Sequence, residues 1–201
     1  MLVVGTANRK KGLELLELLR PAGTELRTLA DFTLDFEVAE DGDTFAANAR
    51  LKAAGYATHL GQWVLADDSG LRVDALAGDP GVFSARYSGP DATDESNNCL
   101  LLERLGDLPL ERRTAQFVCH VAVADPSGQI HAEGDAACSG RILFEPRGHN
   151  GFGYDPLFEI VEYHRSFAEF GPLVKAHLSH RSRAIRRIIP QLMQLADAGN
   201  I

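Results

Sequence analysis

Strand-like and helical patterns alternate along this chain, and that alternation limits the folds open to it. Residues 2–4 and 63–66 are compact apolar runs typical of strands. Residues 114–124 and 129–137 have strand patterns as well and are joined by the turn-forming residues 125–128. Helical segments lie between these strands. The sequence therefore predicts an α/β fold with a mixed sheet rather than a purely parallel one.

Four helices are expected between and after these strands. The first contains leucines at helical spacing, at Leu13, Leu16 and Leu19. Each of the other three follows a hydroxyl residue that is a suitable N-cap: Thr44, Thr93 and Ser179. No internal repeat, low-complexity tract or linker interrupts the pattern, so residues 1–201 are predicted to form a single domain.

Charge and cysteine content restrict the partners of the chain. Its 201 residues contain 20 Lys and Arg against 28 Asp and Glu, and the net charge of −8 disfavours binding to nucleic acid or to an anionic membrane. No apolar run approaches the roughly 20 residues of a membrane span, and the first residues lack a signal-peptide pattern. We therefore expect a cytoplasmic protein. Its three cysteines show no C-x-x-C spacing and are expected to be free thiols.

The turn after the first strand has the composition of an anion-binding loop. Thr6, Asn8 and Lys11 lie where a strand passes into a helix, and free backbone N–H groups at a helix start favour anions. With two hydrogen-bonding side chains and one ammonium group, this loop could hold a triphosphate. The alternative interpretation is ordinary turn and capping chemistry.

Two acidic pairs are candidates for metal binding or catalysis. Asp67 and Asp68 directly follow the apolar run 63–66, and Glu40 and Asp41 precede a helix. Adjacent carboxylates at a strand end repel each other, and a cation or a catalytic role would account for their presence. Mg²⁺ takes one or two carboxylates together with phosphate oxygens and waters. A solvated acidic turn is the alternative.

A glycine-rich segment is a candidate for binding a nucleobase. Phe152 lies between Gly151 and Gly153, which allow the backbone to approach a ligand closely. The aromatic ring could stack on a base, and Asp155 could accept hydrogen bonds from the edge of that base. The alternative is a turn that carries core aromatic residues.

Cations gather at the start of the last predicted helix. With Ser179 as N-cap, His180 and Arg181 lie in the first turn, where positive charge opposes the helix dipole. A polar or anionic ligand would offset that cost, and Lys175 lies close by in sequence. A metal site at His177 and His180 is disfavoured because no carboxylate or cysteine is spaced to complete it.

Taken in order, these motifs resemble those of the inosine-triphosphate pyrophosphatases, also called XTP/dITP diphosphatases. The resemblance covers nearly the whole chain and rests on six motifs: Thr6-x-Asn8-x-x-Lys11, Glu40-x-Gly42-x-Thr44-Phe45, Asp67-Asp68-Ser69-Gly70, Ser84-Ala85-Arg86-Tyr87-Ser88-Gly89, Phe152-Gly153-Tyr154-Asp155-Pro156 and Lys175-x-x-x-Ser179-His180-Arg181. It implies an elongated mixed sheet flanked by helices, two lobes with an active-site cleft, Mg²⁺ as cofactor and a homodimer. The implied reaction hydrolyses ITP, dITP and XTP to monophosphate and pyrophosphate, which cleanses the nucleotide pool.

The same resemblance implies a role for each matching residue. Asp68 would accept the proton of the attacking water and, with Glu40, contact the metal; Asp67 is a further candidate for metal contact. Phe152 would stack on the base. The implied substrate-binding residues are Thr6, Ala7, Asn8, Arg9, Lys10, Lys11, Ser69, Phe152, Gly153, Tyr154, Asp155, Lys175, His180 and Arg181.

Three other functions are compatible with parts of this pattern. The related Maf-like pyrophosphatases act on other modified nucleotides. A non-catalytic nucleotide sensor could use the same loops without turnover. A nucleic-acid-binding module is the third alternative, and the net charge of −8 argues against it. The motifs leave open which of ITP, dITP and XTP is the preferred substrate.

Overall fold

The computed structural model describes residues 1–34 and 36–201. The strands in that part of the chain are β1 (Leu2–Val4), β2 (Leu26–Thr28), β3 (Trp63–Val73), β4 (Thr114–Ala124), β5 (Ile130–Ile142), β6 (Phe158–Ile160) and β7 (Arg165–Ser166). The α-helices are α1 (Arg9–Leu19), α2 (Phe45–Leu60), α3 (Asp94–Leu105), α4 (Pro172–Leu178) and α5 (His180–Asp197). None of the helices described has both the length and the apolar composition that crossing a membrane requires.

The strands form a mixed sheet in the order β2-β1-β3-β4-β5-β6-β7. Strand β1 pairs in parallel with β2 and β3, whereas β6 pairs antiparallel with β5 and β7. The predicted α/β class with a mixed sheet is confirmed. Strands β2, β6 and β7 were not predicted, because segments of two or three residues carry no usable periodicity.

The chain divides into two compact units. The first comprises Met1–Asp68, Cys119–Ala136 and Arg181–Ile201, and the second comprises Ser69–Val118 and Ala137–His180. Strands β3, β4 and β5 contribute residues to both units. The single domain, the elongated shape and the cleft expected from the sequence stay predictions.

In the first unit, successive residues of β3 pack against different helices. Leu65 belongs to a core cluster with Leu15 of α1 and Ile188 of α5. Val64 and Ala66 belong to another cluster, which contains the buried alanines and the tyrosine of α2. This alternation is the normal period of two for a strand, and it decides which way the acidic residues that follow will point.

In the second unit, aromatic residues from several strands form the core. The rings of Phe117 and Phe158 lie 4.5 Å apart, and Phe167 stacks on Phe158 at 5.4 Å. The hydroxyl of Tyr154 donates a hydrogen bond of 2.8 Å to the backbone oxygen of Ser84. The Tyr154 hydrogen bond holds the glycine-rich segment against the body of the unit.

Most of the helix limits follow from local capping chemistry. The side chains of Thr44 and Thr93 accept backbone N–H groups at the starts of α2 and α3, as predicted. The face of α1 differs from the expectation, because Leu13 is 58% exposed while Leu15 is fully buried. The helix begins at Arg9, earlier than the leucine spacing indicated, since Asn8 is its N-cap.

Candidate active site

The acidic pair lies inside a strand and does not follow one. Strand β3 continues to Val73, so the prediction that Asp67 and Asp68 stand at a strand end is wrong. Neighbouring side chains of a strand point to opposite faces, and the two carboxylates are therefore separated rather than crowded together. The strand tolerates two buried acids because cationic side chains lie close to both of them, Arg181 and Lys11 to Asp67 and Lys52 to Asp68.

On one face, Asp67 lies among cationic side chains. The Nε atom of Arg181 is 3.3 Å from Asp67 Oδ2, and Lys11 Nζ is 3.8 Å from the same oxygen. The thiol of Cys119 also points to this oxygen, at 4.0 Å. Burial alone would raise the pKa of Asp67, but the charges of Lys11, Arg181 and Lys52 outweigh burial and hold that pKa well below its usual range. These charges favour the ionised form of Asp67.

On the opposite face, Asp68 lies beside two polar residues of α2. Asn48 Nδ2 donates to Asp68 Oδ2 at 3.1 Å, and Lys52 Nζ lies 3.4 Å from Asp68 Oδ1. Burial raises the pKa of Asp68, and the charges of Lys52 and Lys11 with the Asn48 hydrogen bond offset only part of that effect. A buried carboxylate with a raised pKa is the type of group that accepts a proton in catalysis.

The segment that carries Glu40 is tied to Asp68 by Asn48. The side chain of Asn48 accepts the Gly42 N–H at 2.8 Å and donates to Asp68 from its other end. A Cβ atom on Gly42 would lie 2.7 Å from Asn48 Oδ1, so only glycine allows this close approach. The motif around Glu40 is thus placed beside Asp68 by one buried amide.

The donor atoms around Lys52 fit a divalent cation. Its ammonium lies 2.9 Å from Glu40 Oε2 and 3.4 Å from Asp68 Oδ1, so these two carboxylates already share one positive charge. Within residues 1–34 and 36–201, no three His, Cys, Asp or Glu side chains come together as a ligand set. Two carboxylates suffice for Mg²⁺ when substrate phosphates complete its shell. Asp67 is a poor third ligand, because it points to the other face of β3.

The turn after β1 uses both predicted polar side chains for local capping. Thr6 Oγ1 accepts the Asn8 N–H at 3.2 Å, and Asn8 Oδ1 accepts the Lys11 N–H at 3.1 Å. The capping interpretation therefore holds for these two side chains. It does not remove the anion-binding potential of the turn, because Ala7, Arg9 and Lys10 are exposed there. A cavity of about 660 Å³ borders the turn and is lined in part by Thr6, Ala7, Asn8 and Arg9.

The glycine-rich segment of the second unit presents an aromatic ring beside a charged pair. Asp155 Oδ2 accepts the Phe152 N–H at 2.8 Å and pairs with Lys175 Nζ at 2.6 Å. The same ammonium lies 4.6 Å from the centre of the Phe152 ring, a cation–π distance. A Cβ atom on Gly151 would lie 2.1 Å from Asp155 Oδ2, so a glycine is required for this arrangement. Phe152, Asp155 and Lys175 are thus brought together as predicted.

Three residues expected to bind the substrate make contacts elsewhere in the protein. The guanidinium of Arg181 is buried between Asp67 and Glu14, and its Nη1 lies 2.6 Å from Glu14 Oε2. His180 is buried and stacks on Phe117 at 4.9 Å. The Tyr154 side chain lies in the core of the second unit, so a substrate contact there would have to come from its backbone. Ser69 is half-buried on β3.

Three site residues had not been identified from the sequence: Glu14, Asn48 and Lys52. The sequence does contain a signal for two of them. Asn48 and Lys52 are four residues apart on the buried face of α2, among alanines, and polar residues on such a stripe need partners. Glu14 carried no local signal, because its partner Arg181 is 167 residues away in sequence.

Comparison with known proteins assigns the family. The model of the Ham1 family matches residues 2–191. A dITP/XTP pyrophosphatase of Rhodopirellula baltica is 51% identical, with 99% of this chain and 96% of that protein covered. One from Thermus thermophilus is 50% identical over 93% of this chain and 89% of its own length.

Solved structures agree with that assignment. A HAM1 protein from Coxiella burnetii superposes with a TM-score of 0.87 at 36% identity, covering 96% of this chain and 98% of that one. A nucleoside-triphosphatase, dITP/XTP pyrophosphatase, from Mycobacterium abscessus does so with a TM-score of 0.76 at 42% identity, covering 95% and 98%. The chain belongs to the Ham1 family.

Proposed function

We propose that this protein hydrolyses non-canonical purine nucleoside triphosphates, namely ITP, dITP and XTP, to the monophosphate and pyrophosphate. One observation carries the proposal: the buried Asp68 shares the Lys52 ammonium with Glu40, which combines a proton acceptor with a place for a cation. The names of the relatives from R. baltica and T. thermophilus support the substrate class. Such activity removes abnormal bases from the nucleotide pool.

The residues of the first unit would act on the triphosphate. The turn from Thr6 to Lys11 binds the phosphates through backbone N–H groups and cationic side chains. Asp68 orients a water and accepts its proton as the water attacks the α-phosphorus, and pyrophosphate leaves. Glu40 and Asp68 would hold Mg²⁺, which when bound neutralises charge on the phosphates. Lys52 supplies positive charge beside these carboxylates.

The residues of the second unit would recognise the base. Phe152 stacks on the purine, and Lys175 supplies a hydrogen-bond donor to the 6-oxo group of hypoxanthine or xanthine. Adenine carries an amino group at that position, so donor would face donor. A buried donor left unpaired costs about 1–3 kcal/mol. Guanine keeps the 6-oxo group and must be rejected at its 2-amino group.

A panel of nucleoside triphosphates tests the proposal directly. With Mg²⁺ present, we expect kcat/KM for ITP, dITP and XTP to exceed that for ATP by about 10- to 100-fold, because one unpaired donor would supply that discrimination. Pyrophosphate and orthophosphate are measured separately. We expect the enzyme to release pyrophosphate and not orthophosphate. Preferred cleavage of methylated or pyrimidine triphosphates would favour Maf-like activity instead. Binding without turnover would indicate a nucleotide sensor.

The substitution Lys11→Ala should raise KM for every triphosphate alike, by about 10- to 100-fold. A hydrogen bond to a charged group contributes about 1.5–3 kcal/mol, and phosphate is common to all substrates. Steady-state kinetics with ITP, XTP and ATP measures the effect. Arg20→Ala is the matched control, because Arg20 lies exposed beyond the other end of α1 and pairs only with the exposed Glu17 among the contacts described. A loss confined to one base would place Lys11 at the base instead.

The remaining expectations extend the same proposal. A homodimer is part of what the family resemblance implies, and a cytoplasmic location is what the sequence pattern led us to expect. No nucleic-acid or membrane partner is proposed, in keeping with the net charge of −8. The preferred substrate among ITP, dITP and XTP is left to the panel.

A further inference from the structure

Helix α3 binds both backbone polar groups of Gly153, the residue that follows Phe152. The Gly153 N–H donates to Asp94 Oδ2 at 2.8 Å, and Asn98 Nδ2 donates to the Gly153 carbonyl oxygen at 3.0 Å. Asp94 and Asn98 are four residues apart, so they stand on the same face of the helix. Both backbone polar groups of a single residue are thereby fixed by side chains from another element of the same unit.

The backbone conformation of Gly153 needs restraint from such hydrogen bonds. Its φ of +61° lies in the left-handed region, and a Cβ atom placed there would meet nothing within 4 Å. A glycine in open space has more conformational freedom than any other residue. Hydrogen bonds from outside the segment therefore determine where this peptide lies, and the Phe152 ring is attached directly to it.

The Asn98 side chain is not explained by the needs of α3 itself, whereas Asp94, like Glu95, also places negative charge in the first turn. Thr93 and Ser96 already form the capping box of this helix, and Glu95 supplies negative charge in the first turn. Among the described residues, the hydrogen bond of the Asn98 side chain goes to Gly153, and its Oδ1 is buried without a partner. A buried acceptor left unpaired is unfavourable, so a leucine would serve packing better at this position.

We propose that Asp94 and Asn98 are positioning residues that place the Phe152 ring for base stacking. The proposal rests on the proposed function, in which Phe152 binds the purine. Neither side chain is assigned a contact with the substrate; both act through the Gly153 peptide. Within the glycine-rich segment, Asp155 holds the Phe152 N–H from the other direction. The ring is then held between an internal contact and the clamp formed by Asp94 and Asn98.

Kinetics with two ligands tests this role. Asp94→Ala and Asn98→Leu should each raise KM for ITP roughly tenfold with little change in kcat, as expected when binding of the base is weakened equally in ground and transition states. The inhibition constant of inorganic tripolyphosphate, which has phosphates and no base, should not change. Hydrogen exchange at the Gly153 amide should become faster in Asp94→Ala, because that amide loses its acceptor.

Glu95→Ala is the matched control. It removes the same charge from the same exposed turn of α3 and should leave KM, the inhibition constant and the exchange rate unchanged. Asn98→Asp is a second variant of nearly the same size that faces the Gly153 oxygen with an acceptor, and it should raise KM for ITP at least as much as Asn98→Leu.

Several results would contradict the proposal that Asp94 and Asn98 position the Phe152 ring. A parallel rise in KM for ITP and in the tripolyphosphate inhibition constant would show general damage to the protein. Unaltered exchange at Gly153, or faster exchange with an unchanged KM, would show that the side chains do not position the ring. If the unsubstituted protein releases no pyrophosphate from ITP, the proposed function fails, whereas the exchange rate at Gly153 still decides whether the clamp exists.

Discussion

Replacing Asp68 by asparagine should lower kcat for ITP by about 10²–10⁴-fold and leave a folded protein, because a general base is lost and the shape of the side chain is kept. Asparagine retains one oxygen, which can accept from either Asn48 or Lys52, the two polar neighbours of Asp68 on α2, while its amide nitrogen takes the place of the other carboxylate oxygen. Burial disfavours the ionised form of Asp68 and raises its pKa, so a neutral amide at this position adds no desolvation cost.

The measurement is pyrophosphate release at saturating Mg²⁺, together with a thermal melt. Asp41→Asn is the matched control: it makes the same chemical change at an exposed residue next to Glu40 and should keep near-normal turnover. Near-normal turnover of the Asp68 variant would remove Asp68 from the chemistry. Recovery of turnover of the variant at Mg²⁺ concentrations above those that saturate the unsubstituted protein would instead make Asp68 a metal ligand only.

The two adjacent acids of β3 illustrate how environment separates the roles of identical side chains. The cations on the Asp67 face keep that carboxylate ionised, and burial on the Asp68 face favours the protonated form. Such opposite shifts are typical of sites in which one group organises charge and its neighbour transfers protons. The separation follows directly from the period of two of a strand.

Local chemistry was enough to predict most of the fold. The N-caps Thr44 and Thr93 and the left-handed Gly61 fix the limits of α2 and the start of α3, and each is a property of neighbouring residues. The turn between β4 and β5 could also be predicted from the sequence, since Asp125 accepts the Gln129 and Ser127 N–H groups. The length of β3 could not be predicted, because the sequence of a buried acidic pair resembles that of a loop until the partners of the two acids are known.

Only part of the candidate site could be predicted from the sequence, for a related reason. The motifs named Asp68 and Glu40, but the groups that set their chemistry come from other elements. Asn48 is 20 residues from Asp68 in sequence, and Arg181 is 114 residues from Asp67. The family resemblance placed Arg181 in the pocket of the base, whereas burial requires it to be paired with carboxylates.

Replacing Arg181 by alanine should therefore cost stability rather than base selectivity. The substitution leaves Asp67 without its closest cation and Glu14 without the partner of its Oε2 atom. The Asp67 side chain is fully buried, and the Glu14 side chain is mostly buried. Removing one partner of a buried ion pair costs about 3–5 kcal/mol. For a chain of this size that lowers Tm by on the order of 10 °C.

Arg187→Ala is the matched control for the Arg181 variant, because Arg187 lies on the same helix and pairs with Asp135 where both side chains are exposed. Its effect should stay within about 0.5 kcal/mol. Thermal melts of both variants measure the stability, and kcat/KM for ITP and ATP below the melting range measures selectivity. We expect the ITP-over-ATP ratio of the Arg181 variant to be unchanged. A narrowed ratio with an unaltered Tm would restore Arg181 to the base pocket and would show that its pairing with Asp67 and Glu14 gives way when substrate binds.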